Sequence, residues 1–250
     1  MTQPVSDIEQ LKAQFNSAMD SIHAGVRDMV AKFNALVAQV KKWAWMLGGA
    51  TIWYIHNKLG QVREGLQQLV QKVQYALEHQ VPVISLFTTS FEWIGSVMTP
   101  VSELSSKTTT KENINLTNWS GAASSAYSDI AASQKAAVDE CVNKAKFASD
   151  WLFAIAKSNV EYAVSLAKGL TGAVGKLVAA LADADTVVGI PWAVEQLSDG
   201  IAGIVSDTLK LLLDMGNRFV DVAGNVRTVV SQVGDHSKFP GGQWPQAVRG

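Results

Sequence analysis

Apolar residues in the first third of the chain recur every three or four positions. Ser6 and Glu9 have the spacing of a capping box, in which two side chains satisfy free backbone amides at a helix start, so a helix is predicted to begin at Ser6. The apolar positions that follow are Ile8, Leu11, Phe15, Ala18, Ile22, Val26, Met29, Phe33, Leu36, Val40 and Trp43. Their spacing of about 3.5 residues predicts one long helix with a heptad-like apolar seam.

Two glycines interrupt this seam before it resumes. Gly48 and Gly49 each cost a helix interior about 1 kcal/mol relative to alanine, so they predict either a kink or a tight turn. The second seam consists of Ile52, Ile55, Leu59, Val62, Leu66, Leu69, Val73 and Leu77. Pro82 suits a first helical turn and therefore predicts the next boundary.

The rest of the chain also has helical spacing. Residues 84–98 predict a shorter helix, whose apolar stripe is Phe87, Phe91, Ile94 and Met98. Residues 99–117 are rich in hydroxyl side chains and predict a solvated connection. The next helix is rich in alanine, with inward positions at Tyr127, Ile130, Ala137, Cys141, Ala145, Ala148, Leu152 and Ile155. Residues 183–191 predict a turn into a last helix, with apolar positions at Leu197, Ile201, Ile204, Leu209, Leu212, Met215, Phe219, Val222, Val226, Val229 and Val233.

These patterns predict an all-α fold, because no window shows sustained alternation with the period of a β-strand. We expect an elongated antiparallel helical bundle, or a hairpin of long helices. Its predicted extent is 1–234, divided into N-terminal coiled-coil-like helices at 6–81, a helical hairpin at 82–183 and a C-terminal helix at 191–234. Two prolines and a Gly-Gly pair predict an extended tail at 235–250.

Composition argues against several functional classes. The formal net charge is −1 and charged residues make up 17% of the chain, with no basic run able to follow a phosphate backbone, so no nucleic-acid partner is expected. Cys141 is the only cysteine, and the four histidines lack the spacing of metal ligands. No group of residues forms a catalytic constellation. We therefore expect no metal, no cofactor and no enzymatic activity.

The segment before the alanine-rich helix combines a very large and a very small side chain. Trp119 stands two residues before Gly121. An indole can plug the open end of a seam between two helices, and a glycine lets the backbone turn sharply. Asn118 or Ser120 can cap the helix that follows. A turn between two helices is therefore predicted at this point.

This turn resembles that of a known family, the Trp-x-Gly (WXG) proteins exported by type VII secretion systems of actinobacteria and relatives. The similarity is carried by Trp119-Ser120-Gly121 and by the small residues and Tyr127 that follow. The resemblance implies a larger, multi-helix relative of non-enzymatic helical hairpins that are exported folded, often as dimers, with some relatives forming rings. It also implies a secreted or cell-envelope location. The early Asp7 and Glu9 and the lack of a basic segment before an apolar one predict no conventional secretory leader.

The resemblance assigns the secretion or turn motif to Trp119 and Gly121. It further implies that the apolar helix faces contact the secretion machinery, a helical partner or a second copy of the chain. The interface candidates on those faces are Tyr127, Ile130, Phe33, Val40 and Trp43. A feature of the family is absent, since no tyrosine is followed four positions later by Asp or Glu. A partner can supply that element in trans, Phe147 and Asp150 can stand in for it, or the chain is not a substrate.

Two other functions are compatible with the sequence. Residues 43–55 and 85–98 are apolar and rich in aromatic side chains, which is compatible with an α-helical membrane-active or pore-forming protein. Because 43–55 is shorter than the roughly 20 residues of a spanning helix, it is predicted to be buried helix instead. A coiled-coil scaffold requires only the apolar seams.

Overall fold

The structure, a computed structural model of the 250-residue chain, describes residues 3–78, 82–108 and 118–246. The all-α prediction is confirmed, and no strand occurs among these residues. The α-helices are α1 Gln3–Trp43, α2 Gly49–Glu78, α3 Val83–Glu92, α4 Thr99–Lys107, α5 Ala122–Asp183 and α6 Gly189–Gly234. A π-helical segment, Trp93–Met98, joins α3 to α4, and single 3-10 turns occupy Ala44–Met46 and Pro240–Gly242.

The helices form two compact units. Unit 1 comprises Met1–Val81 and Lys157–Arg218, and unit 2 comprises Pro82–Ala156 and Phe219–Gly250. Helices α5 and α6 each contribute residues to both units. The units therefore do not coincide with the segments predicted from periodicity, because a continuous helix hides a change in packing partners.

The predicted seams form the core of unit 1. On α1, Ile22, Met29 and Leu36 are inaccessible to solvent, and the other seam positions are buried or half-buried. On α2, the seam from Ile55 onward is buried or half-buried, whereas Ile52 is exposed. Removing such side chains from water supplies the main driving force for bringing these helices together.

The break at Gly48-Gly49 is a turn and not a kink. The chain leaves α1 through the 3-10 turn and enters α2 at Gly49. A groove between the two helices is lined by residues on both sides of this turn, from Met29 to Lys41 and from His56 to Gln71. Helices α1 and α2 are therefore an antiparallel hairpin.

Within unit 1, α5 and α6 form a second hairpin. Helix α5 ends at Asp183 and α6 begins at Gly189, so the predicted turn at 183–191 is confirmed. Ile204 lies against Gly172, and the methylenes of Lys176 lie against Gly200. These pairs approach the turn from both sides, as in an antiparallel pair.

The two hairpins of unit 1 point the same way. The Gln39 side-chain amide donates a hydrogen bond to Asp185 Oδ1 at 3.0 Å, and Leu170 lies against Gly25. Positions on α1 and α5 thus advance together, which makes these two helices parallel. The Ser198 hydroxyl donates to Gln61 Oε1 at 3.2 Å, which links α6 to α2. Both hairpin turns therefore lie at one end of unit 1.

In unit 2, the segment from α3 to α4 runs antiparallel to the first part of α5. The rings of Phe87 and Phe153 meet edge to face with centroids 5.5 Å apart. The Ser149 hydroxyl donates to the carbonyl of Ser90 at 2.7 Å, so both buried polar groups are satisfied. The prediction of an irregular connection is wrong for 99–107, which is helix α4, and 109–117 lie outside the described residues. Pro100 lies in the first turn of α4, directly after the π-helical segment.

The tail from 235 to 246 lies along α5. Lys144 Nζ donates to the carbonyl of Asp235 at 2.9 Å and lies 5.7 Å from the ring centroid of Phe239. The Gln134 amide donates to the carbonyl of Pro245 at 2.8 Å. Polar side chains on α5 thus supply hydrogen bonds to the tail, and the composition of the tail alone does not reveal these partners. Residues 247–250 lie outside the described part.

Asp139 makes unit 2 sensitive to acid. Its carboxylate accepts hydrogen bonds from Lys135 Nζ and the Ser105 hydroxyl, each at 2.6 Å, and these bonds, with Lys135 the larger cause, lower the pKa of Asp139. The resulting stabilisation is present above the ordinary aspartate pKa of about 3.9 and is lost as pH falls through the lower folded value. We expect the stability difference between the wild type and Asp139→Asn to be constant near neutral pH and to vanish in acid. Urea titrations across this pH range measure it; a difference that grows in acid would contradict the assignment.

Candidate functional site

The Trp-x-Gly segment forms the turn that leads into α5. Gly121 has φ +100°, a backbone conformation that favours glycine, and α5 begins at the next residue. The Ser125 amide donates to the carbonyl of Gly121 at 3.1 Å, and the Ser124 hydroxyl donates to the carbonyl of Trp119 at 2.9 Å. The first turn of α5 therefore holds both motif residues by their backbone oxygens.

The indole of Trp119 lies against the second turn of α5, beside Tyr127. Its ring centroid is 5.6 Å from that of Tyr127, at an interplanar angle of 54°. Trp119 remains 41% exposed, and Tyr127, predicted to face inward, is also exposed. The indole thus does not seal a buried seam as expected. The two rings form a partly exposed aromatic pair at the start of α5, and Ile130 is half-buried one turn further on.

The other interface candidates lie in unit 1 and are mostly used inside it. Val40 belongs to the core, and Phe33 and Trp43 pack against that core while half-buried. Lys42 Nζ lies 5.1 Å from the centroid of the Trp43 ring. The Trp43 indole nitrogen is buried and has no hydrogen-bond partner among the described residues. The candidates therefore fall into two separate groups, one in each unit.

An open groove of about 900 Å³ lies between α1 and α2. Its apolar lining includes Val30, Phe33 and Val70, its basic lining comprises Lys41 and Arg63, and His56 also lines it. No carboxylate lines it among the described residues. The groove gives Phe33 a surface that a partner can reach.

Periodicity overlooked the most exposed aromatic residues of unit 1. Trp45 and Trp53 flank the turn between α1 and α2, within the stretch 43–55 that was predicted to be buried helix. That prediction is wrong, because the chain turns at Gly48-Gly49 and exposes both indoles. Their positions outside the seam register were the available signal in the sequence.

No described group has the features of a catalytic or metal centre. Among residues 3–78, 82–108 and 118–246, no cluster of three His, Cys, Asp or Glu side chains is placed to hold a metal ion. Desolvation by burial raises the pKa of the Cys141 thiol, so it is protonated and weakly nucleophilic at neutral pH. Burial also raises the pKa of Tyr162 to about 12.

Helix α5 is the one described helix that is long and apolar enough to cross a membrane, judged by length and composition alone. Its most apolar stretch has a mean hydropathy of 1.4, and 33% of that stretch is buried within the protein. A core helix of a soluble protein passes the same test, so this is weak evidence. The segments 43–55 and 85–98 do not pass it.

Comparisons with known proteins give no match: none is found among family models, curated proteins or solved structures. The resemblance to Trp-x-Gly proteins therefore depends on the residues of this chain alone.

Proposed function

We propose that the chain is a non-enzymatic helical protein of the type VII secretion class, secreted or in the cell envelope, which acts by partner binding or self-assembly. The supporting observation is the positive φ of Gly121 in a Trp-x-Gly turn directly before the 62-residue helix α5. This geometry gives the tripeptide a structural reason to occur at this place, beyond a chance match of three letters.

In this mechanism, the aromatic pair of Trp119 and Tyr127 is the surface that an export component or partner contacts. Partly exposed aromatic rings supply large apolar contact area with little loss of conformational entropy on binding. The basic and apolar groove of unit 1 offers a second surface for a helical partner.

If the chain is itself a substrate, the proposal requires that a partner supplies the second half of the family's signal in trans or that Phe147 and Asp150 stand in for it. These two residues stand three positions apart on α5, so they share a helix face. Phe147 is half-buried, and Asp150 is exposed and forms an ion pair with Lys146. These residues thus place an aromatic and an acidic side chain on one helix face, three positions apart instead of four.

Export from a host with a type VII system tests the proposal. We expect Trp119→Ala to reduce the secreted fraction at least about tenfold, which corresponds to roughly 1.4 kcal/mol of lost recognition. Trp93→Ala is the matched control, because Trp93 is a comparably exposed indole in the same unit. Circular dichroism of the purified variants must show equal helix content.

Gly121→Ala adds a second arm to this experiment. Forcing an alanine to φ +100° costs on the order of 1–3 kcal/mol locally, so this variant perturbs the turn without removing the indole. We expect reduced export here as well. Export of both folded variants at the wild-type level, or equal export from a host without the secretion system, would refute the functional role of the turn.

A membrane-active function is the second candidate, favoured by the apolar stretch of α5. That stretch contributes Leu166, Leu170 and Leu177 to the core of unit 1, so insertion requires unit 1 to open. Dye release from vesicles distinguishes this function from the first, because a folded partner-binding protein leaves the vesicles sealed.

A further inference from the structure

Large apolar side chains are exposed at both turns of unit 1. Trp45 is 79% exposed in the turn after α1, and Trp53 is 69% exposed in the first turns of α2. Val188 is 88% exposed in the turn before α6, and Trp192 is 56% exposed in the first turn of that helix. Trp45, Trp53 and Trp192 are the three most exposed tryptophans among the described residues.

These residues share one end of unit 1. The hydrogen bond from Gln39 to Asp185 ties the end of α1 to the turn between α5 and α6. Directly behind the two turns, Val40, Ile55 and Ile190 are buried in one continuous core. We call the exposed end the tryptophan tip and define it by Trp45, Met46, Ile52, Trp53, Val188 and Trp192.

Burial in the core does not explain why these apolar side chains are at the tip, because they remain in contact with water. Indoles cover about 150–250 Å² each when buried, so three indoles at these exposures leave on the order of 400 Å² of aromatic surface in water. Apolar patches of this size on a monomer commonly mark an interaction site. The inward-facing residues of the same helix ends are buried in the core, so the outward direction of the tip side chains does not result from a loose core.

The rim of the tip carries both signs of charge. We define this rim as the charged residues of the same helix ends and turns: the cations Lys41, Lys42 and Lys58, and the carboxylates Asp183, Asp185 and Glu195. The counts are equal, so the rim favours neither a strongly anionic nor a strongly cationic partner. The headgroup layer of a zwitterionic bilayer carries a phosphate and an ammonium group side by side, which complements such a rim.

We propose that the tryptophan tip docks on the surface of a zwitterionic lipid bilayer, with the helices of unit 1 remaining folded. The indoles lie at the level of the headgroups, where tryptophan is enriched because its ring is apolar and its N–H still meets water. Lys41 and Lys42 are exposed at the same end of α1, and lysine side chains at such positions can hold their ammonium groups in the headgroup layer. This docking is independent of the secretion class proposed above.

The arrangement fits a bilayer better than a second copy of the chain. A helical partner is recognised by a stripe along one helix, with contacts at every third or fourth residue. The tip instead collects residues from two turns and from the first turns of α2 and α6, so it forms a cap across helix ends. Such a cap meets a flat layer end on.

Flotation of the full chain with phosphatidylcholine vesicles tests the proposal. We expect the wild type to float with the vesicles. The triple variant Trp45→Ala, Trp53→Ala, Trp192→Ala should show partitioning lowered by more than about tenfold, given the indole area it removes. Trp244→Ala, which removes an exposed indole of unit 2, should float like the wild type. Raising the salt concentration should change binding less than about twofold, because docking depends on apolar contact and not on net charge.

Two further measurements cover a failure of the triple variant to fold. Val188→Glu places a charge at a turn position that is almost fully exposed, so it should stay folded and still weaken flotation. Brominated phosphatidylcholine should quench the tryptophan fluorescence of the wild type, a measurement that requires no variant. A wild type that does not float, a triple variant that floats equally well, or a wild-type dimer that becomes monomeric in the triple variant would each overturn the proposal.

Discussion

Replacing Gly189 by alanine is expected to destabilise unit 1 by about 3 kcal/mol, which is at the upper end of typical overpacking losses. A Cβ at this position would lie 2.1 Å from the carbonyl oxygen of Asp183 and 3.1 Å from Thr186 Oγ1. The carbonyl belongs to the last turn of α5 and is backbone, so it cannot rotate away as a side chain would. The turn must open or the helix end must shift.

The matched control for this prediction is Gly203→Ala on the same helix. A Cβ at Gly203 meets no atom within 4 Å, so alanine should raise stability by about 0.5–1 kcal/mol through helix propensity and a less flexible unfolded chain. Urea denaturation followed by circular dichroism compares the two. Equal stability of the two variants would show that the turn from α5 into α6 is not built as described.

Removal of the Phe87 side chain is expected to cost unit 2 about 3–5 kcal/mol, the range for a phenylalanine truncated to alanine in a core. Phe87 is inaccessible to solvent and meets the ring of Phe153 at 5.5 Å. Phe91 meets Phe153 from another side at 6.0 Å, so the truncation breaks an aromatic cluster as well as leaving a cavity.

Hydrogen exchange measures this loss unit by unit, which is needed because a chain with two units need not unfold in one step. Phe87→Ala should increase amide exchange in α3 and in the unit 2 part of α5 more than in α1 and α2. Ile84→Ala, at an exposed position of α3, should leave exchange nearly unchanged. If the amides of unit 2 stayed protected from exchange in Phe87→Ala, the core of unit 2 would not depend on Phe87, and the account would be contradicted.

The seams were predictable because burial on a helix repeats with the helical period. Ile22 and Leu69 illustrate this, since their spacing from other apolar residues was sufficient to place them inside. Periodicity could not decide between a kink and a turn at Gly48-Gly49, because both leave the same spacing on each side. Helix α4 is not predictable from local composition, because its hydroxyl residues also suit loops.

The candidate site was predictable in its backbone and not in its contacts. A glycine after an indole at a helix start pointed to a sharp turn at Gly121, and the structure has φ +100° there. The position of the Trp119 ring over Tyr127 depends on the direction in which the turn enters α5, and no local sequence pattern encodes that direction. The tryptophan tip is not predictable from composition, because composition does not distinguish apolar residues that face the core from those at turns and helix ends that face solvent.

The architecture of unit 1 and the tryptophan tip both depend on two hairpins that point the same way. Thiol cross-linking tests this most directly in a Cys141→Ala background, which removes the chain's only cysteine. We predict efficient cross-linking by a short bis-maleimide between Gln39→Cys and Asp185→Cys, and little between Gln39→Cys and Lys168→Cys, which is about 25 Å further along α5 at 1.5 Å per residue. The reverse result, with Gln39→Cys linking to Lys168→Cys and not to Asp185→Cys, would place the two turns at opposite ends and contradict the account.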